Sequence, residues 1–167
     1  MMSYIRKLNE LIARIETYLL VFVVLVMVAM AFLQVVLRNV FDEGILWGDI
    51  FLRHLVLWVG FIGASLATRE EKHINVDVFT RFAKGRSKFV FKAIIYFFSA
   101  FVCWLLLDAS WQFVLEEIEY KTVLFAEIPS WYMQIIIPIG FGLMAFRFAL
   151  LGVENSVKLF AGKEQAA

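Results

Sequence analysis

Several residue types that carry chemistry elsewhere are scarce in this chain. Of its 167 residues, one is cysteine, two are histidine, two are proline, and 19% are charged. The lone Cys103 leaves no second thiol for an intrachain disulfide and suggests no cysteine-based metal site. His54 and His73 are too few and too far apart for most metal or haem sites. A net charge of +1 gives no reason to expect nucleic acid, and no cofactor is implied. What fills the chain instead is apolar: 62% hydrophobic residues, 18 of them Phe, and a mean hydropathy of +0.80. Soluble domains hold only about half apolar residues. The expectation is one membrane domain over residues 1–167.

A helix crosses the hydrocarbon in roughly 20 residues. Apolar runs over 17–37, 50–67, 89–113 and 128–151 predict four crossings. The first carries Gln34 near its end, the third Lys92 and Asp108, and the fourth Pro138 and Arg147. A signal peptide does not suit the first run, which is too long and has no small-residue cleavage site after it. The fold class expected is an all-α integral membrane protein with four transmembrane helices. Residues 1–16 set Ile5, Leu8, Ile12 and Ile15 on one helical face and Arg6, Lys7, Glu10 and Arg14 largely on the others. That pattern predicts a short amphipathic helix at the cytoplasmic interface, continuing into the first crossing. The alternative is a frayed basic tail that only sets topology.

Orientation follows from Lys and Arg in the connections. Arg6, Lys7 and Arg14 lie in the first tail, and Lys158 and Lys163 in the last. The middle connection holds Arg69, Lys72, Arg81, Lys84, Arg86 and Lys88, whereas the other two hold only Arg38 and Lys121. Both termini and the middle connection are therefore expected in the cytoplasm. The opposite surface is acidic, with Asp42, Glu43, Glu116, Glu117 and Glu119. An acidic rim is most often a solvated face. The functional alternative is a docking surface.

Charges inside the crossings need partners, because an ionisable group in lipid costs several kcal/mol. Asp49 and Arg53 stand four apart, with the carboxylate first, the favourable order for a helical pair. With the topology above, Arg38, Asp49, Arg53 and Asp108 share the outer third of the membrane and carry balanced charge. The reading favoured is a structural ionic cluster tying the first three helices together. A proton or ion pathway would place acids near mid-membrane. Lys92 and Arg147 are expected to reach the cytoplasmic headgroups, and His54 to hydrogen-bond between helices. Gly60 with Ala64, and Gly63 with Ala67, are small residues at four-residue spacing that permit close helix packing.

The ordered series Gln34-Val35, Arg38, Trp47, Asp49, Arg53, Trp58, Phe61, Gly63-Ala64, Arg69, His73-Ile74 and Val76-Asp77 resembles the small membrane subunit of tripartite ATP-independent periplasmic (TRAP) transporters. The match in residues covers roughly the first half of the chain, and the second half agrees in hydrophobicity and helix count. The family often has an acidic pair after the tryptophan, where Gly48-Asp49 here leaves one carboxylate. The resemblance implies a non-enzymatic accessory subunit of a sodium-driven, binding-protein-dependent importer of an organic acid in the bacterial inner membrane. Its implied partners are a large membrane permease subunit that carries the substrate and sodium sites, a periplasmic substrate-binding protein, and membrane lipids. The sequence shows neither an inverted repeat nor paired broken helices, the usual marks of a transporter's own binding site. Two other classes compete. A self-sufficient four-helix exporter needs a deep acid, and neither Glu16 nor Asp108 reads as deep. A haem-bearing anchor subunit needs two histidines at similar depth, and His54 and His73 are expected on opposite sides.

Overall fold

The computed structural model describes residues 2–69, 87–124 and 127–161, with side chains over 7–69, 90–124 and 127–157. In lipid a spanning segment must satisfy its own backbone, so long apolar runs become helices. The described elements are α1 (Met2–Val40), α2 (Gly48–Arg69), α3 (Ser87–Glu119), the single turn α4 (Trp131–Gln134) and α5 (Ile136–Ala161). Among the described residues four stretches are long and apolar enough to cross a membrane: 7–40, 48–69, 90–119 and 131–157. The protein is an all-α, four-helix membrane protein.

The amphipathic start is not a separate element. With neither Gly nor Pro between Met2 and Val40, nothing kinks the chain, and it runs as one helix of 39 residues. At 1.5 Å per residue that is about 58 Å, nearly twice a hydrocarbon core of about 30 Å. Pro138 acts differently. It lacks an N–H for the carbonyl of Gln134, and the helix is interrupted at Ile135, between α4 and α5. Just before that interruption, the carbonyl of Met133 accepts the indole N–H of Trp58 at 2.9 Å.

The helices lie side by side in the order α1–α2–α5–α3. Contacts fix their directions. Gln34 meets the start of α2 and Glu16 its end, so α1 and α2 are antiparallel. Trp58 meets Met133 while Ser65 meets Arg147, so α2 and α5 run the same way. Tyr96 stacks on Phe148 and Leu107 touches Gly142, so α3 is antiparallel to α5. Below, the upper end is the one with the 41–47 and 120–130 connections, and the lower end is the other.

Both upper connections turn through left-handed residues: Asp42 at φ 53°, Lys121 at φ 49° and Glu127 at φ 59°. Residues 122–124 and 128–130 pair with each other, with Ser130 N–H donating to Thr122 O at 2.9 Å and Leu124 N–H to Ile128 O at 3.0 Å. The Ser130 hydroxyl, buried here, donates to the Glu117 carboxylate and so pins this connection to the end of α3.

The close seams are made by glycines other than those the spacing suggests. Gly140 of α5 lies against Phe61, Gly152 against the Phe97 ring, and Gly48 against the Gln34 amide. Gly60, Ala64 and Ala67 are exposed on α2, and nothing lies within 4 Å of where a Cβ would stand on Gly60 or Gly63. Within this chain the small-residue face of α2 is uncovered.

Candidate functional site

Among the described residues Arg147 is the most buried charged side chain, 2% exposed, on the face of α5 turned toward α1 and α2. Its guanidinium is satisfied from three directions. Nη2 donates to Glu16 Oε2 in a salt bridge, Nη1 donates to the Ser65 carbonyl and, at 2.8 Å, to Ser65 Oγ, and Nε donates to Asn9 Oδ1 at 3.1 Å. Ser65 Oγ in turn donates to Glu16 Oε1 at 2.7 Å. Both carboxylate oxygens of Glu16 are engaged, and one cluster ties α1, α2 and α5 together. Arg147 lies 16 residues below Trp131, about 24 Å along the axis, so the pair sits toward the lower side of the apolar layer. An ion pair there is tolerable because every nitrogen of the guanidinium and both carboxylate oxygens are hydrogen-bonded as well.

This corrects the expectation that Arg147 extends to the headgroups. Its side chain turns inward because a carboxylate at the same level compensates it more fully than an interface could. Glu16 is not deep enough for an exporter's coupling acid, and its place as the partner of Arg147 is one the sequence alone does not assign. The available signal was two opposite charges, each at the lower edge of an apolar run, on helices that share a neighbour.

Above this cluster α1 and α5 separate. A crevice of about 260 Å³ opens there, lined by Ile12, Ile15 and Leu19 of α1, Phe61 of α2, and Ile139 and Leu143 of α5, with Glu16 and Ser65 at its polar end. Its walls are otherwise aliphatic and aromatic, with no group placed for acid–base or nucleophilic chemistry. Among the described residues no His, Cys, Asp and Glu side chains group to hold a metal. The site binds helices together and leaves one greasy opening.

At the upper end the four expected cluster members are not brought together. Gln34 Nε2 donates to Asp49 Oδ1 at 3.0 Å, joining α1 to α2. Arg38 and Arg53 are exposed, and no ion pair links either to Asp49 or Asp108. The order of the helices is the reason: α3, carrying Asp108, packs on α5 at the far edge of the row. His54 Nδ1 pairs with the Ile50 carbonyl at 2.7 Å on its own helix, so it is not the expected interhelical bond. Trp47 is partly exposed and meets Phe51 edge-on, and Arg69 is exposed at the end of α2. Lys92 is half-buried. His73 and Asp77 lie outside the described residues. Of the rim acids, Asp42, Glu43, Glu116 and Glu119 are exposed, and Glu117 is half-buried against Ser130.

Comparison with known proteins assigns a family to this arrangement. Residues 27–156 match the family described as tripartite ATP-independent periplasmic transporters, DctQ component. The chain is 25% identical, over 172 aligned residues, to the C4-dicarboxylate TRAP transporter small permease protein DctQ of Vibrio cholerae, covering 87% of this chain and 73% of that one. It is 25% identical over 174 residues to the protein of the same name in Pseudomonas aeruginosa, covering 82% and 80%. A 79-residue match, 29% identical, reaches the sialic acid TRAP transporter permease protein SiaT of Haemophilus influenzae. It covers 47% of this chain but 12% of that much longer protein.

Proposed function

The chain belongs to the DctQ family of TRAP transporter components, and from that membership we propose that it is the static scaffold of a sodium-driven organic-acid importer. It is an accessory subunit of the bacterial inner membrane, with both termini in the cytoplasm. The observation that carries the reading is the match over 27–156, which takes in the upper part of the first crossing and nearly all of the other three. The large permease subunit lies alongside it and carries the moving parts. A match to this chain over 79 residues inside the longer permease named SiaT supports that placement. The carboxylate nature of the cargo is supported by relatives named for C4-dicarboxylates and for sialic acid.

A scaffold needs rigidity more than chemistry. The Glu16–Arg147–Ser65 cluster supplies it at the lower end, and the Gln34–Asp49 and Ser130–Glu117 bonds supply it at the upper end. The upper rim of Asp42, Glu43, Glu116 and Glu119 faces the periplasm and guides the substrate-binding protein. Glu117 is left out of that set, because its carboxylate holds Ser130. Exposed charges of this kind mainly set encounter rate and orientation, and their effect fades as salt rises. The small-residue face of α2, with Gly60, Ala64 and Ala67 exposed and Gly63 half-buried beside them, is a further surface for the large subunit.

Reconstitution in liposomes under a sodium gradient tests the scaffold role. Uptake of the organic acid should require this chain together with the large subunit and the binding protein, and this chain alone should move nothing. Full-rate uptake with the chain omitted would refute an essential role. Replacing the four rim acids by Asn or Gln should slow association with the binding protein and flatten its salt dependence. Unchanged rates would remove the docking surface and leave the scaffold role intact.

Topology is tested separately. In a Cys103→Ala background, single cysteines at positions 44 and 121 should react with an impermeant thiol reagent in intact cells, and one at position 85 should not. The basis is the bias of Lys and Arg toward the termini and middle connection. Labelling at position 85 from outside would invert the orientation.

A further inference from the structure

On α3 the buried positions, Ala93, Tyr96, Cys103, Ser110 and Val114, form the stripe that meets α5. Asp108 stands off that stripe and is exposed. Around it on the same face are Trp104 and Leu105 below and Trp111, Gln112 and Leu115 above, all exposed as well. The carboxylate lies well inside the apolar stretch. It is 8 residues, about 12 Å, below Glu116 and 16 residues, about 24 Å, above Lys92. Its hydrogen-bond partner in the chain is the amide of Gln112, one turn on, at 3.1 Å. A carboxylate has about four acceptor sites, and one amide N–H fills one of them. A short aspartate cannot extend to the headgroups as Lys and Arg do. Left against lipid tails this group would be strongly unfavourable. Of the upper-end cations, Arg38 and Arg53 belong to α1 and α2, and Lys121 stands 13 residues above Asp108, beyond the end of α3; none is ion-paired with it.

We propose that the Asp108–Gln112 face of α3 is where a transmembrane helix of the large permease subunit docks, presenting an Arg or Lys at the depth of Asp108. This rests on the scaffold reading above and adds the contact that selects the partner. The aromatic residues supply area, and the ion pair fixes depth and rotation. A two-fold contact with a second copy of this chain, centred on the same face, would set Asp108 against Asp108. That juxtaposition opposes association. The small-residue face of α2 also carries a charge, Arg53, but a long arginine near the upper end of α2 can extend to the headgroups, so it fixes register less strictly.

The experiment uses the chain co-expressed with its large subunit and purified through a tag on this chain. Asp108→Leu should lower recovery of the large subunit by about tenfold or more, the scale expected when one member of a desolvated pair is removed. Asp108→Asn, which keeps the hydrogen bond and loses the charge, should fall between Leu and wild type. A photoreactive residue at position 104 should cross-link to the large subunit, and one at position 28, exposed on α1, serves as the reference. The Asp108→Leu chain purified alone should keep wild-type helicity and monodispersity, because among the described residues Asp108 bonds only to Gln112 of its own helix. Wild-type recovery of the large subunit by both Asp108 variants would overturn this docking face and leave the scaffold reading standing. Failure of the wild-type chain to recover any large subunit would overturn the scaffold reading and this proposal with it. Cross-linking from position 104 to a second copy, or to lipid alone, would overturn the docking face.

Discussion

Arg147→Ala should lower the stability of the purified chain by about 3–5 kcal/mol, the range for breaking one side of a buried ion pair. The loss is large because the substitution strands Glu16. One oxygen of that carboxylate would keep the Ser65 hydroxyl, and the other would face an apolar crevice with no donor. Glu16→Ala strands the guanidinium instead, but the Ser65 carbonyl and Asn9 still accept from it, so its cost should be smaller. Glu16→Gln keeps the shape and an acceptor oxygen, and should cost least. The double variant Glu16→Ala/Arg147→Met removes both charges and should recover much of the loss, since replacing a buried pair by apolar residues is often near neutral. Thermal unfolding of the four variants in detergent gives the comparison. A double variant no better than Arg147→Ala would show that the cluster's value lies in the Ser65 and Asn9 bonds rather than in charge neutralisation. Equal melting of Arg147→Ala and wild type would show that the pair does not hold the three helices together.

This cluster also marks where the sequence stopped being legible. The number of crossings was readable because run length is a direct measure against bilayer thickness; the first three runs lie within observed helices, and the fourth starts three residues ahead of its helix and crosses the break at Ile135. The partners of the charges were not readable, for two reasons. Hydropathy fixes depth but not rotation about the helix axis, so Arg147 at the edge of a run could as well have faced the headgroups. Glu16 and Arg147 are 131 residues apart, and no local pattern links them. The order α1–α2–α5–α3 was equally hidden. Four antiparallel crossings can be arranged in several ways, and placing α3 beyond α5 separates Asp108 from Arg38 and Arg53. A cluster that was plausible by depth is thereby undone by neighbourhood. Two residues of the motif series make contacts of different reach: Gln34 with Asp49 closes a single connection, whereas Trp58 meets the Met133 carbonyl 75 residues away, a pairing no local pattern announces.

Gly140→Ala should destabilise the chain, and Gly60→Ala should not, although both are glycines inside apolar helices. A Cβ on Gly140 would lie 2.6 Å from Phe61 Cδ1 and 3.1 Å from Phe61 Cβ. The ring has little freedom to swing aside, since it meets Phe141 edge-on with centroids 5.2 Å apart. The second contact is at the root of the side chain, so relief needs α2 and α5 to part. Overpacking of this kind costs about 1–3 kcal/mol, against a gain of roughly 0.5–1 kcal/mol from alanine's lower backbone entropy in a helix. The net sign should therefore be unfavourable at Gly140. Gly140→Val, with two more carbons in the same seam, should be worse. At Gly60 nothing lies within 4 Å, the clash is absent, and the helix gain stands alone. Phe61→Leu in the Gly140→Ala background removes the ring and should restore part of the loss, which separates a steric cause from a general dislike of substitution on α5. The melting temperatures of Gly140→Ala and Gly60→Ala should move in opposite directions. If both rise together, the α2–α5 seam is looser than the Phe61 contact implies. Measured again in the assembled complex, Gly60→Ala carries separate information: a penalty that appears only with the large subunit present would mean that the small-residue face of α2 is covered there.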